Sequence, residues 1–392
     1  MSEAVRIEPD ENFLKRLMAY GGGDLKKCYQ CANCASVCPL SPEENGFPRR
    51  QLLLAQWGQK DKLLEDAAPW QCFYCGECSK RCPRGANPGE TMMALRRYLT
   101  TQYDWTGLST LMYGSAFWEL GILALVALVV VLLFTIPQNF GFGLLNHSGP
   151  QALSTVMLDK FAPVDVVHLG DRIMAAVLSL FLLSNAARMF ARLTHGSNIP
   201  LRAYLTKLPH LAIQGLTQMR WKDCADSDAA RNWVRHLFLV TGYGTMFTLV
   251  VIFLPWFQIK DSSFHWTSFL GYYATVVLLV TTGWILLDRI KQRTEMHRFS
   301  HLSDWMFPIL LFLTAASGIL VHILRLMDPA MATYVVYMVH LAIAVPMLVV
   351  EVPFGKWAHL LYRPLALYVV AVKEDAKEVA IQEVAAAGQA AG

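Results

Sequence analysis

The sequence predicts an all-α protein in two parts, a soluble helical domain over residues 1–100 and a six-span transmembrane helical domain over 112–365. Three observations carry that expectation. Two cysteine runs of identical spacing fall within the first hundred residues, and the segment between them has apolar positions at helical rather than alternating intervals. Six later stretches are long and apolar enough to cross a bilayer, which takes about 20 residues. Lys and Arg collect in alternate loops, the pattern of a multi-pass membrane protein. Composition agrees: 54% of the 392 residues are hydrophobic and 16% are charged, against about 25% charged in an ordinary soluble domain. A net charge of +4 is too small to point to nucleic acid.

The chain opens with MSEAVRIEPDENFLKRLMAY, where no basic stretch leads into an apolar one, so no secretory signal is expected. The cysteine-bearing part is then expected in the cytoplasm. Thiols stay reduced there, and repeated close spacing means metal more often than disulfide. The first run, KKCYQCANCASVCPL, sets Cys28, Cys31, Cys34 and Cys38 before Pro39. The second, QCFYCGECSKRCPR, sets Cys72, Cys75, Cys78 and Cys82 before Pro83.

This C-x2-C-x2-C-x3-C-P spacing is that of bacterial ferredoxins. Three thiolates cap three corners of a cube, and the fourth, before the proline, ligates the other cluster. Two [4Fe–4S] clusters are expected, one on Cys28, Cys31, Cys34 and Cys82, the other on Cys38, Cys72, Cys75 and Cys78. A zinc site would use two pairs of cysteines rather than two quartets. The spacer RRQLLLAQWGQKDKLLED reads as helix, which favours a helical dicluster ferredoxin over a strand-built one. Cys224, the ninth cysteine, stands alone in a basic loop and reads as a bystander.

After the linker TTQYDWTGLSTLMYG, spans are expected at about 116–136, 173–190, 237–257, 269–287, 305–327 and 332–354. Loop 188–235 is rich in Arg and Lys, as is 288–298, whereas 137–172 and 258–268 hold only Lys160, Arg172 and Lys260. By the positive-inside rule both termini face the cytoplasm, on the side of the cysteines, and the chain sits in the cytoplasmic (inner) membrane. The tail over 366–392, ending KEDAKEVAIQEVAAAGQAAG, is expected to be flexible.

Histidine inside a membrane span is costly and usually functional. His236, His322, His340 and His359 lie in or at the ends of spans, and His168 precedes the second. Beside two clusters, the matching cofactor is haem b, held by axial imidazoles from different helices. No C-x-x-C-H occurs, so two non-covalent haems are expected. His236 and His359 share the near, cytoplasmic face; His322 and His340 share the far face. His340 and His359, nineteen residues apart, would be about 28 Å apart on a continuous helix and could not serve one haem. Gly318, one turn before His322, would let a flat ring approach the backbone. The stretch HLGDR offers His168, Asp171 and Arg172 either as quinone-binding groups or as an interfacial cap of the second span.

Over roughly 165–365 the chain resembles the cytochrome b membrane subunit of respiratory nitrate reductase, on NWVRHLFLVTGYG, HLSDWMFPILLFLTAASGIL and VHLAIAVPMLVVEVPFGKWAH. That resemblance implies ligands at His236, His340 and His359. Met246 stands where that family has a further histidine, and the interval from His340 to His359 is one residue longer. The second far ligand is therefore His322, with Met246 and His168 as alternatives.

The cysteine half resembles the iron–sulfur C subunit of heterodisulfide reductase. The fusion of both halves resembles the C subunits of the quinone-interacting membrane-bound oxidoreductase complexes of sulfate reducers. This resemblance implies menaquinol as electron donor, flavin-containing partners of the heterodisulfide-reductase A type, and onward transfer toward adenylylsulfate reductase. The expected function is a membrane conduit from menaquinol through b haems and clusters to a cytoplasmic partner. The alternatives are a heterodisulfide-reductase-like membrane subunit working with quinone in either direction, and a haem-free anchor. No G-x-G-x-x-G occurs, so flavin is expected on a partner.

Overall fold

The computed structural model describes residues 8–41, 46–135, 154–223, 229–253 and 264–390, and every regular element among them is helical. Cys224 lies outside the described residues, as does the end of the third expected span beyond residue 253.

The N-terminal domain is built on α1 (Glu11–Leu17), α2 (Arg49–Gln56) and α3 (Pro88–Tyr103). The Asp10 carboxylate accepts from the Asn12 and Phe13 amides and starts α1, as a capping side chain should. The central α3 is buried on nearly all sides. Phe13, Leu17, Leu52, Leu95, Tyr98 and Leu99 form the core around it, with the Phe13 ring edge-on to Tyr98 at 4.7 Å. Each such side chain contributes about 1.5–3 kcal/mol on burial.

Six helices are long and apolar enough to cross a membrane: α4 (Ala116–Thr135), α5 (Val164–Thr194), α6 (Ala229–Ile252), α7 (Ser268–Ile290), α8 (Ser303–Met327) and α9 (Ala330–Phe354). In space α6 packs on α7, α7 on α8, α8 on α9 and α9 on α4, while α5 crosses the far end of α6 and the near end of α9. Leu125, Leu180, Val276 and Val280 point outward and stay exposed, as residues facing lipid would.

Three expectations need correction. First, α5 starts at Val164 rather than near 173, and α6 at Ala229 rather than near 237, because hydropathy marks a helix's apolar middle and not its polar ends. His168, Asp171 and Arg172 are thus inside α5, not ahead of it.

Second, His340 and His359 are not on one helix. α9 widens into a π turn at Met347–Glu351 and ends at Phe354; Gly355 is extended (φ −100°, ψ −160°). A short turn, Lys356–Ala358, follows, and a last helix α10 (His359–Ala390) begins at the histidine itself. A π turn holds one residue more than an α turn, and the break resets the direction in which His359 is presented.

Third, the expected flexible tail is the continuation of α10. Ala366, Leu367, Tyr368, Val369 and Val372 are buried, so this stretch of the helix is enclosed on nearly all sides. Tyr362, Ala366, Tyr368, Val369 and Val372 join the N-terminal core to Ala186, Met189 and Leu193 of α5. One apolar core therefore runs from the cysteine domain into the membrane domain.

Candidate functional site

The two cysteine loops repeat one backbone geometry. Gln30 (φ 60°) and Tyr74 (φ 55°) stand two residues after the first cysteine of each run. Ala32 (φ 69°) and Gly76 (φ 85°) stand directly after the second. Each loop then enters a one-turn helix, Asn33–Ser36 or Glu77–Lys80, that carries the third cysteine. Left-handed backbone is cheap for Gly76 and costs about 1–2 kcal/mol at Gln30, Ala32 and Tyr74. The return for that strain is that the thiols turn inward.

Two cavities result. One is lined by Cys28, Cys31, Cys34 and Cys82, the other by Cys38, Cys72, Cys75 and Cys78. Each thus takes three thiols from one run and a fourth from the other. No three His, Cys, Asp or Glu side chains among the described residues are arranged around a single metal ion. Four thiols set apart around a cavity suit a polynuclear cluster, in which each thiolate takes its own iron.

Amide N–H groups point at sulfur: Tyr74 N lies 3.3 Å from Cys72 Sγ, and Ala86 N lies 3.3 Å from Cys82 Sγ. Such bonds tune a cluster's potential. Burial pushes the Cys34 thiol up to about 11 and Cys38 up to about 12, with neighbouring cysteines adding to both. Bound cations reverse that preference and hold thiolates.

The two sites differ in exposure. Around the first, Cys31 is exposed and the Tyr29 ring is 69% accessible, with the Arg84 guanidinium 4.3 Å from its centre. The second faces the membrane domain. Phe73, the counterpart of Tyr29, is buried and stacks on Trp221 (ring centres 6.1 Å apart, planes 15°). Trp221 in turn meets the His236 ring edge-on at 5.2 Å.

His236 of α6 and His359 of α10 come together, their ring centres 6.4 Å apart. Imidazole–metal bonds of about 2 Å, with ring centres about 1 Å further out, put two axial imidazoles roughly 6 Å apart centre to centre. His359 donates from Nδ1 to the Lys356 carbonyl, which leaves Nε2 for a metal. Burial, with His236 and Arg363 beside it, holds His359 down to about 3, so its ring is neutral, the form that ligates. Arg363, one turn along α10, donates to the Trp70 carbonyl and covers the Phe73 ring at 4.6 Å.

A cavity of about 200 Å³ opens at this joint between Tyr74 and Phe73 on one side and His236, His359 and Trp221 on the other. Arg96, Arg97, Lys356 and Arg363 line it, with Asp304 as the only carboxylate among its lining residues. Such a wall favours an anionic occupant.

The joint is also clamped by charge. Arg97 of α3 donates to Glu90 Oε1 and to Asp304 Oδ2 of α8, both at 2.7 Å, and Lys356 donates to Asp304 Oδ1. Tyr74 donates to Glu90 Oε2 at 2.6 Å, and its hydroxyl lies 3.3 and 3.4 Å from the Met296 and Phe299 carbonyls. Burial pushes the Glu90 carboxyl up while Arg97 opposes it.

The far-face histidines are placed differently. His340 Nδ1 lies 2.9 Å from Ser317 Oγ, and a Cβ on Gly318 would stand 3.3 Å from its ring, so glycine lets that ring lie close against α8. His322 Nε2 lies 2.6 Å from the Tyr272 hydroxyl. The ring contact of His236 with His359 has no counterpart between His322 and His340 among the described residues. On α5, His168 and Asp171 are half-buried and Arg172 is exposed, with Asp171 in electrostatic reach of Tyr337 on α9.

Sequence reasoning missed Phe73, Trp221, Arg97, Asp304, Lys356 and Arg363. Phe73 next to Cys72, and Arg363 four residues after His359, could have been found by position. Trp221 and Asp304 carry no local signal.

Residues 24–86 match the 4Fe-4S dicluster domain family. Over 104 residues the chain is 34% identical to a protein of Archaeoglobus profundus described as like the C subunit of heterodisulfide reductase, a match covering 26% of this chain and 55% of the relative. It is 38% identical over 75 residues to the C subunit of the H(2):CoB-CoM heterodisulfide,ferredoxin reductase of Methanothermobacter thermautotrophicus, covering 19% and 40%. It is 34% identical over 87 residues to the C subunit of the ferredoxin:CoB-CoM heterodisulfide reductase of Methanosarcina mazei, covering 22% and 53%. The chain spans about half the length of these curated relatives. No solved structure matches. The chain therefore carries a 4Fe-4S dicluster domain homologous to the C subunit of heterodisulfide reductase, an iron–sulfur electron-transfer component, joined to six helices compatible with a multi-pass membrane protein.

Proposed function

We propose that this chain is the membrane electron-transfer subunit of a multi-subunit oxidoreductase, taking electrons from menaquinol and delivering them to a cytoplasmic flavin- and iron–sulfur-containing partner, ultimately toward adenylylsulfate reductase in sulfate reduction. The observation that carries the reading is the His236–His359 pair, set at axial-ligand spacing against the loop of Cys72 and Cys75. Two [4Fe–4S] clusters and two b haems would supply one-electron carriers.

The residues have distinct parts. Cys28, Cys31, Cys34 and Cys82 hold one cluster, and Cys38, Cys72, Cys75 and Cys78 the other; the two lined cavities support that division. His236 and His359 hold the near haem, whose carboxylates would meet Arg96, Arg363 and Lys356. His340 holds the far haem, with Ser317 fixing its ring and Gly318 making room. Its second ligand would be His322, which would exchange the Tyr272 hydroxyl for the metal at Nε2, with Met246 and His168 as the alternatives. His168, Asp171 and Arg172 are the candidates for orienting quinol and taking its protons. Both termini face the cytoplasm, and the partner docks where Cys31 and Tyr29 reach the surface.

The test is an optical and paramagnetic spectrum of the purified full chain with a metal count. Roughly eight cluster irons per chain, together with b-type absorption, are expected. Clusters without any b-type absorption would reduce the membrane half to an anchor and end this reading.

A further inference from the structure

The internal repeat of the cysteine loops makes the two sites comparable residue by residue, and one difference separates them. The aromatic residue directly after the first cysteine is Tyr29 in one loop and Phe73 in the other. Tyr29 lies on the surface. Phe73 is buried and begins a run of ring contacts, Phe73 on Trp221 and Trp221 on His236, that ends at the His236–His359 pair. Arg363 also packs on the Phe73 ring, 4.6 Å from its centre, so this side chain is held by two contacts.

We infer that Phe73 and Trp221 are the relay by which an electron passes between the His236–His359 site and the Cys38, Cys72, Cys75, Cys78 site, which makes that site the inner one and the Cys28, Cys31, Cys34, Cys82 site the outlet. The inference rests on the proposed haem at His236 and His359. The step moves a single electron: the carrier on the histidines is oxidised by one as the carrier on the cysteines is reduced by one, and no bond is made or broken.

Electronic coupling falls much faster across a gap than through bonded atoms, so the route with fewest gaps carries the transfer. The ring route leaves Cys72 through the backbone and crosses two contacts, Phe73 to Trp221 and Trp221 to His236. One hydrogen-bonded alternative runs from Tyr74 through Glu90, Arg97, Asp304 and Lys356 to His359. It crosses five hydrogen bonds. Another enters Arg363 from the Trp70 carbonyl and must then follow the full Arg363 side chain and a turn of α10 backbone to His359. The ring route crosses fewer gaps than the five-bond chain and far fewer bonded atoms than the Arg363 route, and neither of its bridging residues is itself a proposed ligand.

The experiment uses the full chain with haems and clusters loaded, mixed rapidly with a menaquinol analogue. Haem absorption and the freeze-quenched paramagnetic signal of the reduced clusters are followed together. Trp221→Leu and Phe73→Leu should slow haem-to-cluster transfer by an order of magnitude, with haem content, cluster content and both midpoint potentials unchanged. Trp221→Phe, which keeps a ring, should restore most of the rate. An unchanged rate in Trp221→Leu, with all centres present, overturns the relay. So does loss of rate in Tyr74→Phe alone, which would move the path to the hydrogen-bonded chain. Absence of b-type absorption in the unmodified chain sinks the haem reading instead, so the two failures are told apart before any rate is measured.

Discussion

His340 shows how a single position is prepared for a role. Ser317 lies against Nδ1 and Gly318 lets the ring approach α8 closely, so Nε2 is the nitrogen a metal would take. If it is an axial ligand, His340→Ala should remove one b-type haem and leave both clusters intact. His322→Ala should cause the same loss if it is the partner. Haem loss in Met246→Ala, with His322→Ala unaffected, would reassign the site to a His–Met pair. Unchanged haem content in all three variants would remove the far haem from the proposal. At this scale the sequence is legible where chemistry is local. The cysteine spacing encodes its loops directly, because three thiols two residues apart leave the backbone few ways to turn them to one side. Trp221 is not legible in this way, since nothing in its neighbourhood distinguishes a loop tryptophan at an interface from one that stacks between a cysteine loop and a histidine.

Among the elements, the contact of α3 with α8 decides whether the two halves act as one body. Arg97, Glu90 and Asp304 are nearly fully buried, and Arg97 reaches across to a carboxylate 207 positions away in sequence. Removing one partner of a buried ion pair costs about 3–5 kcal/mol, because a charge is left without compensation. Asp304→Asn takes the carboxylate from Lys356 and leaves Arg97 with Glu90 alone, so it should loosen the joint more than any single change in the apolar core around it. Hydrogen exchange over residues 70–76 and 296–302 should accelerate, with α1 staying protected. Equal protection in the variant and the unmodified chain would show that packing of α10 alone holds the halves together.

The same contact explains the limits of the sequence reading. Helix type and number follow from local hydrophobic periodicity, and six spans are visible on that ground. The π turn at Met347–Glu351, the break at Gly355 and the packed face of α10 depend on what lies opposite in space. The tail reads as free because its last twenty residues have no apolar face; the buried positions, 366–372, lie just before them.

For the whole molecule, the decisive fact is the mismatch in electron number. Clusters and b haems exchange single electrons, whereas quinol gives two and a soluble acceptor such as a sulfur bond takes two. On the proposed reading, the two electrons of quinol would leave in turn toward the histidines while its protons would go to groups such as those on α5. On the same reading a two-electron centre is needed at the acceptor end, and flavin, the common bridge, is commonly held by a strand followed by a glycine-rich turn. Neither G-x-G-x-x-G nor any strand occurs among the described residues. The surface at Tyr29 and Cys31, the proposed outlet, is accessible enough for another protein to approach the first cysteine site closely. The isolated chain should therefore be reduced by a menaquinol analogue, seen as the reduced b-type spectrum, and should show no steady turnover with soluble acceptors other than artificial dyes. A flavin-containing partner should restore turnover, and Tyr29→Asp, which alters the outlet face without touching a ligand, should weaken that restoration while leaving reduction by quinol intact. Stoichiometric flavin in the purified chain, or turnover of a physiological soluble substrate without a partner, would show that the two-electron chemistry lies within this chain and that it is an enzyme complete in itself.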